Sequence, residues 1–215
     1  MEAMAHLLHI DSSVLGDYSV SRKLSAHTAA RWEATHPGGT VSYRDLALTP
    51  VPHLTAATGA ARAVPAELRT PAQHESFALT TELVNEIQAA DTVLLGLGLY
   101  NFGPPSTVKA WVDHIVALGI SVDPDTQAGL LTGKEFIVLE ARGGGYGPGT
   151  PREGWDHAQA WLPHAVSLTG LTPQFITAEL TNAKTVPAMA EFIPLADASY
   201  AEALTQIDQL WSTQP

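Results

Sequence analysis

Leu7-Leu8-His9-Ile10-Asp11-Ser12-Ser13-Val14-Leu15-Gly16-Asp17-Tyr18-Ser19-Val20-Ser21 runs from a short apolar stretch into a serine-bearing loop, and the loop opens a helix. A buried parallel strand would deliver this backbone to the carboxyl edge of a sheet. The next helix begins there with unpaired N–H groups and a partial positive charge. Ser13, Ser19 and Ser21 add hydroxyl donors at that end. The layout suits a phosphate group, although serines ahead of a helix also serve as ordinary N-caps.

Working outward, residues 20–35 carry Leu24 and Trp32 near helical spacing and close on His36-Pro37-Gly38-Gly39. Residues 40–46 alternate polar and apolar side chains like an edge strand. Residues 47–69 hold Pro50, Pro52 and Pro65 and read as a long, mostly irregular excursion: a lid, an interface segment or an insertion. Thr70-Pro71 begins a helix that Phe77, Leu83, Val84 and Ile87 carry to Ala90. Residues 92–97 are apolar without alternation, as in a strand buried on both faces. They empty into Gly98-Leu99-Tyr100-Asn101-Phe102-Gly103-Pro104-Pro105, after which Val108, Trp111, Val112, Ile115 and Leu118 predict a helix reaching Gly119.

Residues 136–139 predict a further buried strand, which opens into Ala141-Arg142-Gly143-Gly144-Gly145-Tyr146-Gly147-Pro148-Gly149. Glycines in such number let backbone approach a flat ligand. A helix on Trp155, Ala158, Trp161, Leu162, Ala165 and Leu168 ends near Gly170; a strand at 174–177 and a helix at 197–211 complete the chain. Five strands alternating with helices predict an α/β fold. It is a doubly wound, five-stranded parallel sheet in the order 2-1-3-4-5 with helices on both faces. No composition shift divides residues 1–215, so one domain is expected. The loops after strands one, three and four then meet at the carboxyl edge where strand order reverses, the place where such sheets bind ligands.

With 11 Lys and Arg against 22 Asp and Glu, the formal charge of −11 disfavours nucleic acid and anionic membrane surfaces as partners. Cysteine is absent, which excludes thiol redox chemistry and Cys-ligated metal, so redox activity needs a borrowed cofactor. Met1-Glu2-Ala3-Met4-Ala5 lacks a basic region ahead of an apolar stretch, and a cytoplasmic protein without a membrane span is expected. The histidines show no ligand spacing that predicts a metal site.

Together Ser12-Ser13 with Ser19-Val20-Ser21, Tyr100-Asn101-Phe102, Arg142-Gly143-Gly144, and Tyr43-Arg44-Asp45-Leu46 with Pro50-Val51-Pro52 make the chain resemble a known family. It is that of FMN-dependent NADH-azoreductases and NAD(P)H:quinone oxidoreductases, of flavodoxin-like fold. The resemblance implies that Ser13, Ser19, Val20 and Ser21 hold the FMN phosphate. It likewise places Leu99, Tyr100, Asn101 and Phe102 along the isoalloxazine, with Ala141, Arg142, Gly143 and Gly144 as the second flavin-contacting loop. It further implies an alternating reaction in which NADH or NADPH gives a hydride to flavin N5 and a quinone or azo compound then takes two electrons. A homodimer with the site at the subunit interface is implied as well.

The chain departs from the family pattern at Gly98, where proline is usual, and at Ala141, where a polar residue is common. Residues 120–124 are shorter than their counterpart, and Tyr146 stands where relatives often carry histidine. Tyr146 is the candidate proton donor to the acceptor. Two other readings remain: a flavin-binding electron carrier or sensor without efficient NAD(P)H turnover, and a reductase dedicated to one metabolite.

Overall fold

The computed structural model describes residues 4–212, so residues 1–3, read above for a targeting signal, and residues 213–215 lie outside it. Strands β1 (His6–Asp11), β2 (Thr40–Asp45), β3 (Thr92–Gly98), β4 (Glu135–Ala141) and β5 (Pro173–Ala178) form one sheet in the order β2-β1-β3-β4-β5. Every neighbouring pair is parallel. This is the flavodoxin-like order expected from the βα alternation. Helices α1 (Val20–Thr35), α2 (Ala56–Arg62), α3 (Pro71–Ala89), α4 (Ser106–Ile115), α5 (His157–Val166) and α6 (Ile193–Gln209) accompany it.

The pleat divides the core in two. Leu8, Ile10, Val93, Leu95, Leu97, Phe136 and Val138 pack on Leu83, Ile87, Trp111 and Ile115, and on Leu162 and Val166 beyond them. Leu7, Leu94, Ile137, Leu139 and Ile176 point the other way, against Leu24 and Trp32 of α1 and Ala203 and Ile207 of α6. Burying each such side chain stabilises the fold by roughly 1.5–3 kcal/mol, so both faces need their helices. β3 is buried at every residue, which is why its sequence shows no alternation.

Three local expectations are corrected and one is refined. The 47–69 excursion is irregular over most of its length but holds α2, capped by Thr55, and a 3-10 turn at Ala66–Leu68. α4 stops at Ile115 rather than near Gly119, because the Arg62 guanidinium donates to the carbonyls of Asp113 and Val116 and closes the helix there. Trp155 precedes α5 instead of joining it; Asp156 accepts from the amides of Ala158 and Gln159 and is the true N-cap. α6 starts at Ile193, a turn earlier than read, with a proline in its first turn where the missing N–H is harmless. By contrast α3 begins as read, at Thr70-Pro71, with a full capping box between Thr70 and Gln73.

Candidate functional site

At the carboxyl end of β1 the backbone is fixed before it turns. Ser12 Oγ donates to the Gly96 carbonyl at 2.7 Å, and Ser12 N donates to the same oxygen at 3.2 Å. Asp11 lies against Gly96 so closely that a Cβ there would overlap its Oδ1, and Ser25 Oγ donates to that oxygen at 2.7 Å. Ser13, Ser19 and Ser21 are all buried, with Ser19 and Ser21 hydroxyls 3.2 Å apart. Ser19 is the N-cap of α1 and accepts from Arg22 N at 3.3 Å; no acidic residue stands in the first turn. Val20, half-buried, is the first residue of that turn. Hydroxyls and unpaired amides are thus gathered at a positive helix end.

The second loop leaves β3 as a tight reversal. Tyr100 and Gly103 exchange both backbone hydrogen bonds, at 2.8 and 3.0 Å, and the two residues between them, Asn101 and Phe102, have φ of 48° and 67°. Two consecutive side-chain-bearing residues in the left-handed region store roughly 1–2 kcal/mol each. His157 N–H to the Phe102 carbonyl, at 2.9 Å, and the edge of Trp155, 5.3 Å from the Phe102 ring, hold them there. Tyr100 folds back so that a Cβ on Gly98 would touch its ring. Its hydroxyl reaches the first loop, 3.2 Å from Ser13 Oγ and 3.1 Å from the Val14 amide that donates to it. Leu99 N donates to the Ala141 carbonyl at 3.0 Å, joining the second loop to the third.

In the third loop Arg142 is buried among carboxylates. Its guanidinium donates to Glu140 Oε2 at 3.0 Å and Glu179 Oε1 at 2.9 Å and lies 2.5 Å from Asp156 Oδ2. Each nitrogen of this side chain therefore has a carboxylate partner. Glu140 is fully buried, its Oε1 has no hydrogen-bond partner, and its carboxyl is pushed up to about 7. Burial is the main cause; Arg142 opposes it and neighbouring Asp156 reinforces it. The glycines serve packing as well as approach. A Cβ on Gly143 would overlap the Asn182 amide, and the amides of Asn182 and Leu180 donate to the carbonyls of Gly143 and Gly144. Tyr146 is half-buried, its N–H donating to Glu179 at 2.9 Å and its ring 6.2 Å from Phe102.

Beside the second loop opens a cavity of about 640 Å³, lined by Tyr100, Asn101, Pro105, Lys109, His157 and Trp161 among others. Residues 5–204 match a family described as having a flavodoxin-like fold. An FMN-dependent NADH:quinone oxidoreductase of Frankia casuarinae is 46% identical over 201 residues, covering 93% of this chain and 95% of its own. The enzyme of the same name from Streptomyces coelicolor is 44% identical over 214 residues, covering 96% of each. The chain belongs to the FMN-dependent NADH:quinone oxidoreductase family. The crystal structure of an azoreductase from Bacillus anthracis superposes with a TM-score of 0.79 at 22% identity, over 96% of this chain and all of the other, which bears on the fold alone.

This oxidoreductase-family chain also carries polar groups around the three loops that its motifs did not single out: the Val14 amide and the side chains of Arg22, Glu140, Asp156 and Glu179. Tyr43 and Asp45 lay inside a quoted motif without a role, and both contact Arg22. Glu140 had one legible signal, a carboxylate inside an otherwise apolar run. Asp156 and Glu179 had none, since their partner is distant in sequence.

Proposed function

We propose that this chain is an FMN-dependent NAD(P)H oxidoreductase that reduces quinones or aromatic azo compounds in two-electron steps. The observation that carries the reading is the meeting, at one sheet edge, of the serine cradle with an aromatic turn beside the cavity of about 640 Å³. The donor set fits FMN: buried hydroxyls of Ser13, Ser19 and Ser21 at a helix start suit a phosphate dianion. Bound FMN supplies the two-electron chemistry, with NADH or NADPH as reductant and a flat acceptor as oxidant.

In this reading the residues of the chain bind, orient and exclude water. Ser13, Ser19, Val20 and Ser21 take the phosphate. Leu99, Tyr100, Asn101 and Phe102 form one wall for the ring system, held in a fixed reversal by the Phe102 carbonyl contact. Ala141, Gly143 and Gly144 offer backbone, while the Arg142 side chain anchors the loop from behind through its carboxylates. Tyr146, beside Phe102, is the proposed proton donor to the acceptor. Among the described residues no helix is long and apolar enough to cross a membrane. A homodimer is the proposed working form, supported by the half-exposed apolar side chains of Leu118 and Leu168, which line one surface pocket; a cytoplasmic location is proposed with it.

The test is the visible spectrum of purified protein before and after anaerobic NADH, then NADPH. A bound flavin that bleaches rapidly is expected, and it would also reject the carrier reading. Colourless protein that takes up no FMN would overturn the function. Tyr146→Phe is expected to keep the flavin and its bleaching but slow turnover of azo acceptors several-fold; unchanged turnover removes the proton-donor role.

A further inference from the structure

Arg22 stands in the first turn of α1, where an arginine beside a phosphate site is ordinarily a direct ligand. Here every N–H of its guanidinium is already used. Nε and Nη2 donate to the Ser13 carbonyl at 2.9 and 2.8 Å. Nη1 and Nη2 donate to the two oxygens of Asp45 at 2.7 and 2.8 Å, and Nη1 also donates to the Tyr43 hydroxyl at 3.0 Å. That hydroxyl donates in turn to Asp11 Oδ2 at 3.0 Å. Asp45 is itself fixed, accepting from the amides of Ala47 and Leu48 at 2.9 and 3.1 Å.

A trans peptide holds its C=O and N–H on opposite sides. Clamping the Ser13 carbonyl toward α1 and β2 therefore turns the Val14 N–H the other way. That N–H meets the Tyr100 hydroxyl at 3.1 Å, and Ser13 Oγ lies 3.2 Å from the same oxygen. Two groups of the first loop thus converge on one oxygen atom.

We propose that Arg22, held by Asp45, is a positioning residue for the FMN phosphate: it grips the Ser13 carbonyl from behind and so aims the Val14 N–H, which meets the Tyr100 hydroxyl in this structure, at the place a phosphate oxygen takes when FMN binds. This rests on the FMN reading above. Charge alone argues for a different role. Asp11 and Asp45 outnumber the one arginine, so the cluster adds net negative charge near an anion site. A carboxylate is tolerable there when its contribution is geometric.

The opposing signs make the test decisive. Apoprotein is titrated with FMN and with riboflavin, which lacks the phosphate, for wild type, Asp45→Asn and Arg22→Lys. Asp45→Asn removes a negative charge and Arg22→Lys keeps the positive one, so a purely electrostatic role predicts FMN binding that is tighter or unchanged. Positioning predicts FMN affinity at least tenfold weaker in both variants, with riboflavin affinity within twofold of wild type. In wild type the Val14 amide proton resonance shifts with FMN and not with riboflavin; in Arg22→Lys that shift is lost. Variants that discriminate FMN from riboflavin as wild type does overturn the proposal alone. Wild-type apoprotein that binds neither flavin overturns the FMN reading on which it rests.

Discussion

Glu140 is a fully buried carboxyl group with one orphaned oxygen and an acidic neighbour, and its titration is displaced accordingly. Because burial raises its folded-state value to about 7, the folded protein keeps a proton that the unfolded chain has lost above the usual carboxylate range. Its contribution to stability is full below that range and falls as pH rises toward neutrality. A decline of about 2 kcal/mol between about pH 5 and pH 8 is expected from this group. His9 and His114, both lowered chiefly by burial, act in the opposite sense, stabilising the fold as pH rises through the histidine range. The difference between wild type and Glu140→Gln isolates the carboxyl. Urea unfolding of apoprotein across that range is expected to show the variant gaining on wild type as pH increases; parallel curves would remove the shifted titration. Beyond the carboxylate standing in an apolar run, none of this was legible locally. Arg142 was visible as part of a motif, but its three carboxylates come from β4, the cap of α5 and the segment after β5.

Elements are legible in the sequence where local chemistry and burial agree. Thr70-Pro71 marks the start of α3 through capping chemistry, and β3 betrays its burial by its lack of polar alternation. α2 was missed because its alanines and glycine carry no apolar stripe; it is held by Thr55 at its start and by packing on α3. α4 was read too long for a different reason. Apolar spacing continues to Leu118, but Arg62, at the end of α2, donates to the last carbonyls and ends the helix. One side chain therefore closes α4 and ties α2 to it. Arg62→Met is expected to lower stability by about 2 kcal/mol, the range for lost hydrogen bonds from a charged donor, with the midpoint of chemical denaturation as the measure. Arg62→Lys should recover part of that loss, and a variant as stable as wild type would show that α4 ends there for another reason.

For the molecule as a whole, strand order was the most legible property, because alternation of β and α leaves few parallel arrangements and the three motif-bearing loops suit only one edge. Assembly was legible only through resemblance. If the working form is the homodimer proposed above, sedimentation at micromolar concentration should give twice the 22.8 kDa chain mass. A monomer with full activity would place the whole site on one chain. Strand order also fixes when the site can exist. Ser12 and the carbonyl that receives its hydroxyl are 84 residues apart, because β1 sits between β2 and a strand encoded far downstream. On a ribosome, which releases the chain from its amino end, the cradle serines emerge first. They must then wait for β3, for the turn that carries Tyr100 and finally for the Arg142 loop. The proposed cofactor pocket is thus among the last features to be completed in a newborn chain, although its first residues are among the earliest made.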